Sequence, residues 1–566
     1  MSDRTNQLIE PKALQEVLKK RVHGHLEPRG YTGVPAAGSG ESGTGRFGRM
    51  FPRLPAHQED NGQLEQLGTP VEQGGSGLMV DQGGVGDSTI PAGFTYLGQF
   101  IDHDITFDTT SSLDKQNDPR ALRNFRTPRL DLDSVYMGGP SDSTYLYDQT
   151  DPDKFLLGPS VNTGAFAHPT PDAAGDLPRN AQQIALIGDP RNDENLIVAQ
   201  LHRQVLKFHN RVVDFVRSKG AAPAVVFSTA QQLVRWHYQW IVVHDYLKRI
   251  VGAPVVDDIL RNGRQFYRFS GQPFIPVEFS VAAFRFGHSM VRDDYRFHRA
   301  ESGRPFTPPR FATLGQFFRF TRQDTTAVQW VLHPDDWENF FETNAALPPV
   351  MARKIDPRLA STLHNLPNLA PNSGPTSLAA RNLVRGLVMG LPSGQAVAQA
   401  MGIPVLKEEH LESGDTDGFL RKTGMLQATP LWFYLLKEAQ VQHDGQLLGN
   451  VGGRIVAEVL IGLIQADSTS FLNIPPAPPI KLPTRIRDLG DMTTLARAAA
   501  IGLGESLAKS PGASLAPGAA INHPLLEKLT PNLGALLTRF RRWKPSLPSA
   551  TPGTFTMADL IRFANQ

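Results

Sequence analysis

The chain of 566 residues contains no cysteine. This absence excludes disulfides, thiolate metal sites, iron–sulfur clusters and cysteine nucleophiles, and it leaves the redox compartment open. Long apolar runs are also missing: none reaches the roughly 18 residues that span a membrane, and the N-terminal segment lacks the apolar core of a conventional signal peptide. The sequence therefore predicts a soluble protein without an integral membrane segment, either cytoplasmic or exported by a leaderless route.

A strong excess of one charge is missing as well. Lysine and arginine together number 57 against 55 aspartates and glutamates, which gives a formal net charge of +2. This near balance gives no indication of nucleic acid or an anionic membrane as a partner. Apolar residues make up 40% of the chain, which is enough for a large buried core, and we expect the protein to be a monomer.

Strand signals are sparse, because few runs alternate apolar and polar residues and few hairpin turns are present. Five segments instead carry apolar residues at helical spacing: 193–219, 228–251 with Ser228 as its N-cap, 277–291, 376–400 and 451–465. The sequence predicts a mainly α-helical fold with long loops and little β-structure.

Glycine and proline are concentrated in parts of the chain. Residues 24–93 are rich in both, so we expect residues 1–93 to form an extended arm with little regular structure. Residues 94–566 are expected to form one main domain. Within it, the proline-rich start of 475–540 indicates an insertion or a small subdomain.

Two polar clusters lie where helices are expected to end or begin. Asp102, His103 and Asp104 are consecutive in LGQFIDHDITFD, so on a helix their side chains point about 100° apart. Arg191 and Glu194 are three residues apart in GDPRNDEN and can reach one site from a helix start. Taken alone, the first cluster also fits a solvated turn or helix cap, and the second also fits an exposed ion pair.

Two further clusters interrupt apolar helical segments. His288 is alone on the apolar face of FSVAAFRFGHSM, where an imidazole is either a hydrogen-bonded core residue or an axial ligand to haem iron. Asn382 and Arg385 lie within the apolar SLAARNLVRGLVMG. An asparagine there can orient a histidine through the second ring nitrogen, or it belongs to a plain polar stripe.

Together and in this order, the motifs LGQFIDHD, GDPRNDE, AFRFGH and RNLVRGLVMGLP resemble the peroxidase–cyclooxygenase superfamily, the animal-type haem peroxidases, in a bacterial-like member. The resemblance runs from about residue 94 to 465 and returns in WKPSLPSATPGTFTMADLIRFA at 543–564. It implies the helical haem peroxidase fold, with residues 94–566 as the catalytic domain.

The resemblance implies a role for each matching residue. His103 matches the distal histidine that moves a proton between the peroxide oxygens, and Arg191 matches the distal arginine that stabilises the developing negative charge. Gln99 matches the distal glutamine that binds water or halide above the iron. His288 matches the proximal iron ligand, and Asn382 matches its hydrogen-bond partner.

The resemblance also implies how a haem b is held. Asp102 and Glu194 match carboxylates that form ester bonds to haem methyl groups, so covalent attachment is expected. Asn195 stands where a methionine would be needed for a third, sulfonium bond, so that bond is expected to be absent. Arg285, one turn before the proximal histidine, matches the arginine of peroxidase members, and Arg385 is expected to line the haem site.

A calcium site is implied as well. Asp104 and the segment TPRLDLDSVYMGG resemble the calcium site of the family. Its ligands would be Asp104, Thr127, Arg129 through its carbonyl, Asp131 and Asp133, all of which offer the hard oxygens that Ca²⁺ prefers.

The implied function is a haem peroxidase that reduces hydrogen peroxide and oxidises a halide, thiocyanate or a small phenolic donor. Fatty-acid dioxygenases of the same superfamily need a radical-forming tyrosine three residues before the proximal histidine. Arg285 occupies that position, which favours the peroxidase. A non-catalytic haem- or calcium-binding protein is a further alternative, as is a helix-bundle metal site built from His202, His209, His237 and His244.

Overall fold

The computed structural model describes residues 45–83, 86–107, 123–124, 126–159, 175–296, 311–317, 331–366, 374–473, 545, 547–551 and 553–565. The first 44 residues of the predicted arm and the predicted insertion at 475–540 lie outside this part of the chain.

Helices dominate the fold, as predicted. The α-helices are α1 (Asn61–Leu67), α2 (Gly93–Ile105), α3 (Asp133–Tyr136), α4 (Gly139–Asp142), α5 (Leu196–Ser218), α6 (Val226–Ile241), α7 (Leu247–Val251), α8 (Ala253–Asn262), α9 (Leu314–Phe317), α10 (Leu378–Val388), α11 (Gly394–Ala400), α12 (Glu408–Leu411), α13 (Phe419–Lys422), α14 (Leu431–His443), α15 (Asn450–Ala466) and α16 (Met557–Ala564). In the described part of the chain, no helix combines the length and the apolar character needed to cross a membrane.

The long helix α5 is the centre of the core. It begins at Leu196 because the side chain of Asn195 accepts a hydrogen bond from the Val198 amide at 3.0 Å, an N-cap contact. Leu201 and Phe208 are among its buried apolar residues. The helix packs against α2, α6 and α16, so it positions the end of α2 at which the first polar cluster lies.

Strands are few and short, also as predicted: β1 (Gly45–Gly48), β2 (Asp87–Pro91), β3 (Arg123–Asn124), β4 (Ile275–Pro276), β5 (Asp294–Arg296), β6 (Phe311–Thr313) and β7 (Met351–Arg353). In one sheet β1 lies between β3, antiparallel, and β4, parallel. Two antiparallel pairs, β2–β7 and β5–β6, complete the described sheets. Both β2 and β7 contact α2.

Three helical predictions differ from the structure in detail. The segment 277–291 forms a π-helical turn at Glu278–Ala282 and a 3-10 turn at Ala283–His288 rather than an α-helix. The segment 376–400 divides into α10 and α11, because Gly390 has a positive φ of 59° and a proline follows. Ser228 is not an N-cap, since α6 already begins at Val226 and the Ser228 hydroxyl donates to the Val225 carbonyl at 3.2 Å.

From residue 45 onward, the predicted arm packs on the helical body. The buried carboxylate of Glu278 accepts hydrogen bonds from the amides of Met50 and Phe51 at 2.9 and 3.0 Å. Helix α1 contacts α10 and buries Leu64 and Leu67. The boundary between arm and main domain at residue 93 stays a prediction.

Candidate active site

The last two turns of α2 carry four of the predicted site residues. Gln99 and His103 are four residues apart and therefore lie on one face of the helix. Asp104 points to a different neighbour because successive helical residues are rotated by about 100°. His103 is 5% exposed and Asp104 is fully buried, so both need polar partners within the protein.

His103 lies between two groups from the segment before α5. Its Nδ1 is 2.8 Å from Oδ1 of Asn192, and its Nε2 is 3.8 Å from Oε1 of Glu194. Burial lowers the pKa of His103, and the positive charge of Arg191 lowers it further, although the carboxylate of Glu194 acts in the opposite direction. The imidazole is therefore held close to its neutral form and ready to accept a proton.

Gln99 is fixed on both sides by the residues that begin α5. Its amide nitrogen donates to Oε1 of Glu194, and its amide oxygen accepts from Nδ2 of Asn195 at 3.1 Å. The two predicted residues Gln99 and Glu194 are thus in direct contact. Asn195, predicted only as the missing methionine, both caps α5 and orients Gln99.

Arg191 lies in the 3-10 turn Pro190–Asp193 and is tied to the end of α2. Its guanidinium donates to the backbone carbonyls of His103 at 2.9 Å and Thr106 at 2.5 Å. It also pairs with Asp189 at 2.8 Å. The structure therefore brings Arg191 beside His103.

Asp189 is a fully buried carboxylate that the sequence analysis did not single out. Burial alone would raise its pKa, but the guanidinium groups of Arg191 and Arg126 hold the pKa well below its usual range. Arg126 donates to Asp189 at 2.5 Å, and both guanidinium groups lie over the ring of Phe107. The contacts with Asp189 and Phe107 fix the orientation of the Arg191 guanidinium.

The second predicted histidine lies at the end of the 3-10 turn Ala283–His288. Nδ1 of His288 is 2.8 Å from Nδ2 of Asn382, and Oδ1 of Asn382 accepts from Arg285 at 2.5 Å. A guanidinium can only donate, so Arg285 determines which end of the amide faces His288. The three predicted residues form one connected group.

Positive charge accumulates around this group. The side chains of Arg381 and Arg385 are buried on α10. Burial lowers the pKa of Arg285 to about 10, and the nearby Arg385 and Arg381 lower it as well, while Asp102 acts in the opposite direction. Asp102 itself accepts from the Thr106 hydroxyl at 3.1 Å. The arrangement is suited to an anionic ligand.

A third group is formed by carboxylates from α2 and from the start of α3. One oxygen of each of Asp104, Asp131 and Asp133 lies within 4.8 Å of the others. Thr127 joins them, because its hydroxyl donates to Asp131 and its amide donates to Asp133, both at 2.8 Å. Arg129 has an exposed side chain and follows two residues later.

These carboxylates repel one another. Burial raises the pKa of Asp104 well above its ordinary value, and the charges of Asp133 and Asp131 raise it further. Burial likewise raises the pKa of Asp133 to about 7 although Arg126 opposes this. Oδ1 of Asp133 is buried without a hydrogen-bond partner. A cation at this triad would satisfy that oxygen and remove the repulsion.

The four core histidines do not form a metal site. In the described ranges, the acidic triad is the one group of three or more histidine or carboxylate side chains close enough to hold an ion. His209 contacts the Tyr136 hydroxyl at 2.9 Å and His237 contacts the Leu233 carbonyl at 2.7 Å. His244 packs against the ring of Trp240.

Comparison with known proteins places this geometry in context. A family model described as animal haem peroxidase matches residues 110–415. Heme peroxidase 2 of Caenorhabditis elegans is 33% identical over 127 residues, 21% of this chain and 17% of the relative. Thyroid peroxidase of Sus scrofa is 29% identical over 188 residues, 31% of this chain and 20% of the relative. The matched segments thus span about a fifth of these relatives.

Two solved structures share the fold. Peroxidase A from Dictyostelium discoideum superposes with a TM-score of 0.50 at 16% identity, covering 75% of this chain and 85% of that chain. A fatty acid alpha-dioxygenase from Oryza sativa superposes with a TM-score of 0.52 at 13% identity, covering 73% and 74%. At such identities the likeness concerns the fold alone.

Proposed function

The chain belongs to the animal haem peroxidase family, and we propose on this premise that it reduces hydrogen peroxide at a histidine-ligated haem b and oxidises a halide, thiocyanate or a small phenolic donor. The observation that carries the proposal is the position of His103: a buried imidazole beside a fixed arginine, with its Nε2 directed toward the side of Glu194. The bound haem would supply the redox chemistry, and the protein supplies proton transfer and positioning.

The proposed roles of the two residues follow from their contacts. His103 accepts a proton from peroxide at Nε2, because its Nδ1 is already engaged by Asn192. Arg191 contributes a fixed positive charge that needs no rearrangement, since Asp189 and two backbone carbonyls hold it in place. Gln99 orients water or halide in the same space.

His288 is the proposed iron ligand. Ligation through Nε2 requires the hydrogen on Nδ1, and hence the oxygen of Asn382 facing that nitrogen. Arg285 must then exchange Asn382 for another acceptor. The carboxylates of a haem would be suitable acceptors for Arg285 and Arg385, and they would relieve the repulsion between these two arginines. The donor set therefore fits a haem.

Ester bonds through Asp102 and Glu194 are part of the proposal. We expect haem to remain with the protein after acid–organic extraction once the holoprotein has been treated with peroxide, and to extract fully before that treatment. Asp102→Asn and Glu194→Gln should each reduce the retained fraction, and the double variant should retain none. The Soret absorbance of the extracted protein measures this. Complete extraction from the peroxide-treated wild type would contradict the ester roles.

Calcium at the triad of Asp104, Asp131 and Asp133, with Thr127 and the Arg129 carbonyl, is the second cofactor we propose. Removal of the ion with a chelator should lower the melting temperature by about 5–10 °C at pH 8. The decrease in melting temperature should be smaller at pH 5, because protonation of Asp133 then stabilises the ion-free protein.

In the ion-free protein, the pKa of Asp133 is raised to about 7, so the folded state binds a proton that the unfolded state releases near pH 4. Its contribution to stability is full below that pH and is lost as the pH rises through about 7. Calorimetry with and without chelator at both pH values measures the difference. In Asp133→Asn the chelator should have little effect on the melting temperature. An equal decrease in the variant and in the wild type would contradict a calcium site at this triad.

The direct test of the proposed function uses the haem-reconstituted protein. Peroxide-dependent oxidation of bromide, iodide, thiocyanate and a simple phenol is measured beside oxygen uptake with a polyunsaturated fatty acid. We expect donor oxidation and no oxygen uptake, since Arg285 cannot form the radical of a tyrosine. Oxygen uptake would support a dioxygenase, haem binding without either reaction would support a non-catalytic protein, and failure to bind haem would end the proposal.

A further inference from the structure

A second buried histidine lies behind His103. His202 on α5 is fully buried, and its Nδ1 is 3.0 Å from Nδ2 of Asn192. Its Nε2 has no hydrogen-bond partner among the residues described. Asn192 is also fully buried, and its Oδ1 is 2.8 Å from Nδ1 of His103. One amide thus joins two imidazoles.

We propose that Asn192 and His202 are positioning residues that hold His103 in the tautomer with its hydrogen on Nδ1. An amide oxygen only accepts hydrogen bonds, and an amide nitrogen only donates them. Nδ1 of His103 must therefore carry the hydrogen, and Nδ1 of His202 must be without one. Nε2 of His103 keeps its lone pair, and this is the atom that receives the peroxide proton if the proposed function holds.

The amide is held from both ends. The backbone of Asn192 is fixed in the turn Pro190–Asp193, where its backbone N–H donates to the Asp189 carbonyl at 3.0 Å. His202 stays neutral, because burial lowers its pKa to about 3, and a neutral ring keeps an acceptor for Asn192. The ring of Phe100 meets His202 edge-on. Asn192 and His202 are therefore both held in place independently of His103.

With His103 in this tautomer, proton transfer from peroxide changes the protonation of Nε2 alone. One proton passes from hydrogen peroxide to Nε2 of His103, which leaves a hydroperoxide anion and an imidazolium. The hydrogen on Nδ1 stays in its bond to Asn192 throughout, so no other group has to rearrange. Without the amide, His103 could carry its hydrogen on Nε2, and the acceptor for peroxide would be blocked.

The tautomer is observable without any activity. We would label histidines with ¹⁵N in the full-length protein before haem is added and record two-bond ¹H–¹⁵N correlation spectra. The His103 signals are those that disappear in His103→Gln. The expected wild-type pattern is that of a hydrogen on Nδ1. It should be lost in Asn192→Leu and kept in Asn192→Asp, whose carboxylate still accepts from His103.

A matched control exists on the same helix. Asn210 on α5 also bridges two groups, the amide and the carbonyl of Phe155, at 2.7 and 2.9 Å. Asn210→Leu should leave the His103 pattern unchanged. A wild-type pattern with the hydrogen on Nε2, or an unchanged pattern in Asn192→Leu, would overturn the proposal.

The haem-loaded protein gives a second measurement. Asn192→Leu should lower the rate constant for reaction with peroxide by about 10- to 100-fold, with the KM for the donor unchanged, and Asn192→Asp should recover part of the loss. If Asn192 had a purely structural role, Asn192→Leu would lower thermal stability and would change both the rate constant for reaction with peroxide and the KM for the donor. Asn210→Leu is measured beside it to show the effect of losing a structural hydrogen-bonding asparagine. If the wild type has no peroxidase activity, the proposed function fails, while the spectra still decide the tautomer.

Discussion

His103→Ala is expected to lower the rate of peroxide reduction by about 10²- to 10⁴-fold while haem binding is unchanged. The imidazole is buried, its Nε2 is 3.8 Å from Oε1 of Glu194, and Arg191 donates to the backbone carbonyl of the same residue. Alanine leaves no group at that position to accept the proton. Stopped-flow measurement of the Soret change after mixing with peroxide gives the rate constant directly. The haem content per chain is measured on the same sample.

Two comparisons make this result specific. His410→Ala removes a histidine whose side chain is 40% exposed, and it should leave the rate constant unchanged. Arg191→Ala should also slow the reaction, but it removes several hydrogen bonds to α2, so its melting temperature must be measured beside its rate. An unchanged rate constant in His103→Ala would disprove the role of the imidazole as the proton acceptor.

His288→Ala is expected to abolish stable haem binding. The proposed bond to iron runs through one imidazole, which Asn382 and the neighbouring Trp432 hold in place. Removal of that imidazole leaves a space of the same shape but no ligand. Titration of the variant with haem, followed at the Soret band, should show weak binding without saturation at one haem per chain.

Free imidazole provides the control for this variant. Added in millimolar amounts, it can occupy the space left by the missing side chain and should restore the Soret band of His288→Ala. The same addition should not alter the spectrum of the wild type at low concentration. A full and tight Soret band in His288→Ala without imidazole would show that another residue binds the iron.

Much of the fold could be predicted from the sequence because its helices bury one face. The apolar spacing of Leu201, Val205, Phe208 and Val212 predicts α5, and the structure has that helix at 196–218. The same spacing misled at 277–291, because periodicity does not distinguish an α-helix from tighter or wider turns. The π-helical turn at Glu278–Ala282 and the 3-10 turn at Ala283–His288 leave the same apolar spacing in the sequence as an α-helix would.

The site could be predicted in part. Gln99, His103, Arg191, Glu194, His288, Asn382 and the acidic triad were all singled out, and the structure groups them into three neighbouring clusters. Asn192 and Asp189 were not, although both lie in GDPRNDEN. Asn192 contacts His103, 89 residues away along the chain, and Asp189 contacts Arg126, 63 residues away. A motif gives the residues of one segment but not the contacts that segment makes.

Because His103 and Asp104 occupy neighbouring positions of α2, insertions and deletions in this helix affect both residues. His103 contacts Asn192, and Asp104 belongs to the acidic triad, so the rotation of the helix serves both groups at once. Insertion or deletion of a single residue ahead of them would turn both by about 100°. A gap within this turn in any descendant sequence would mark the loss of both sites together.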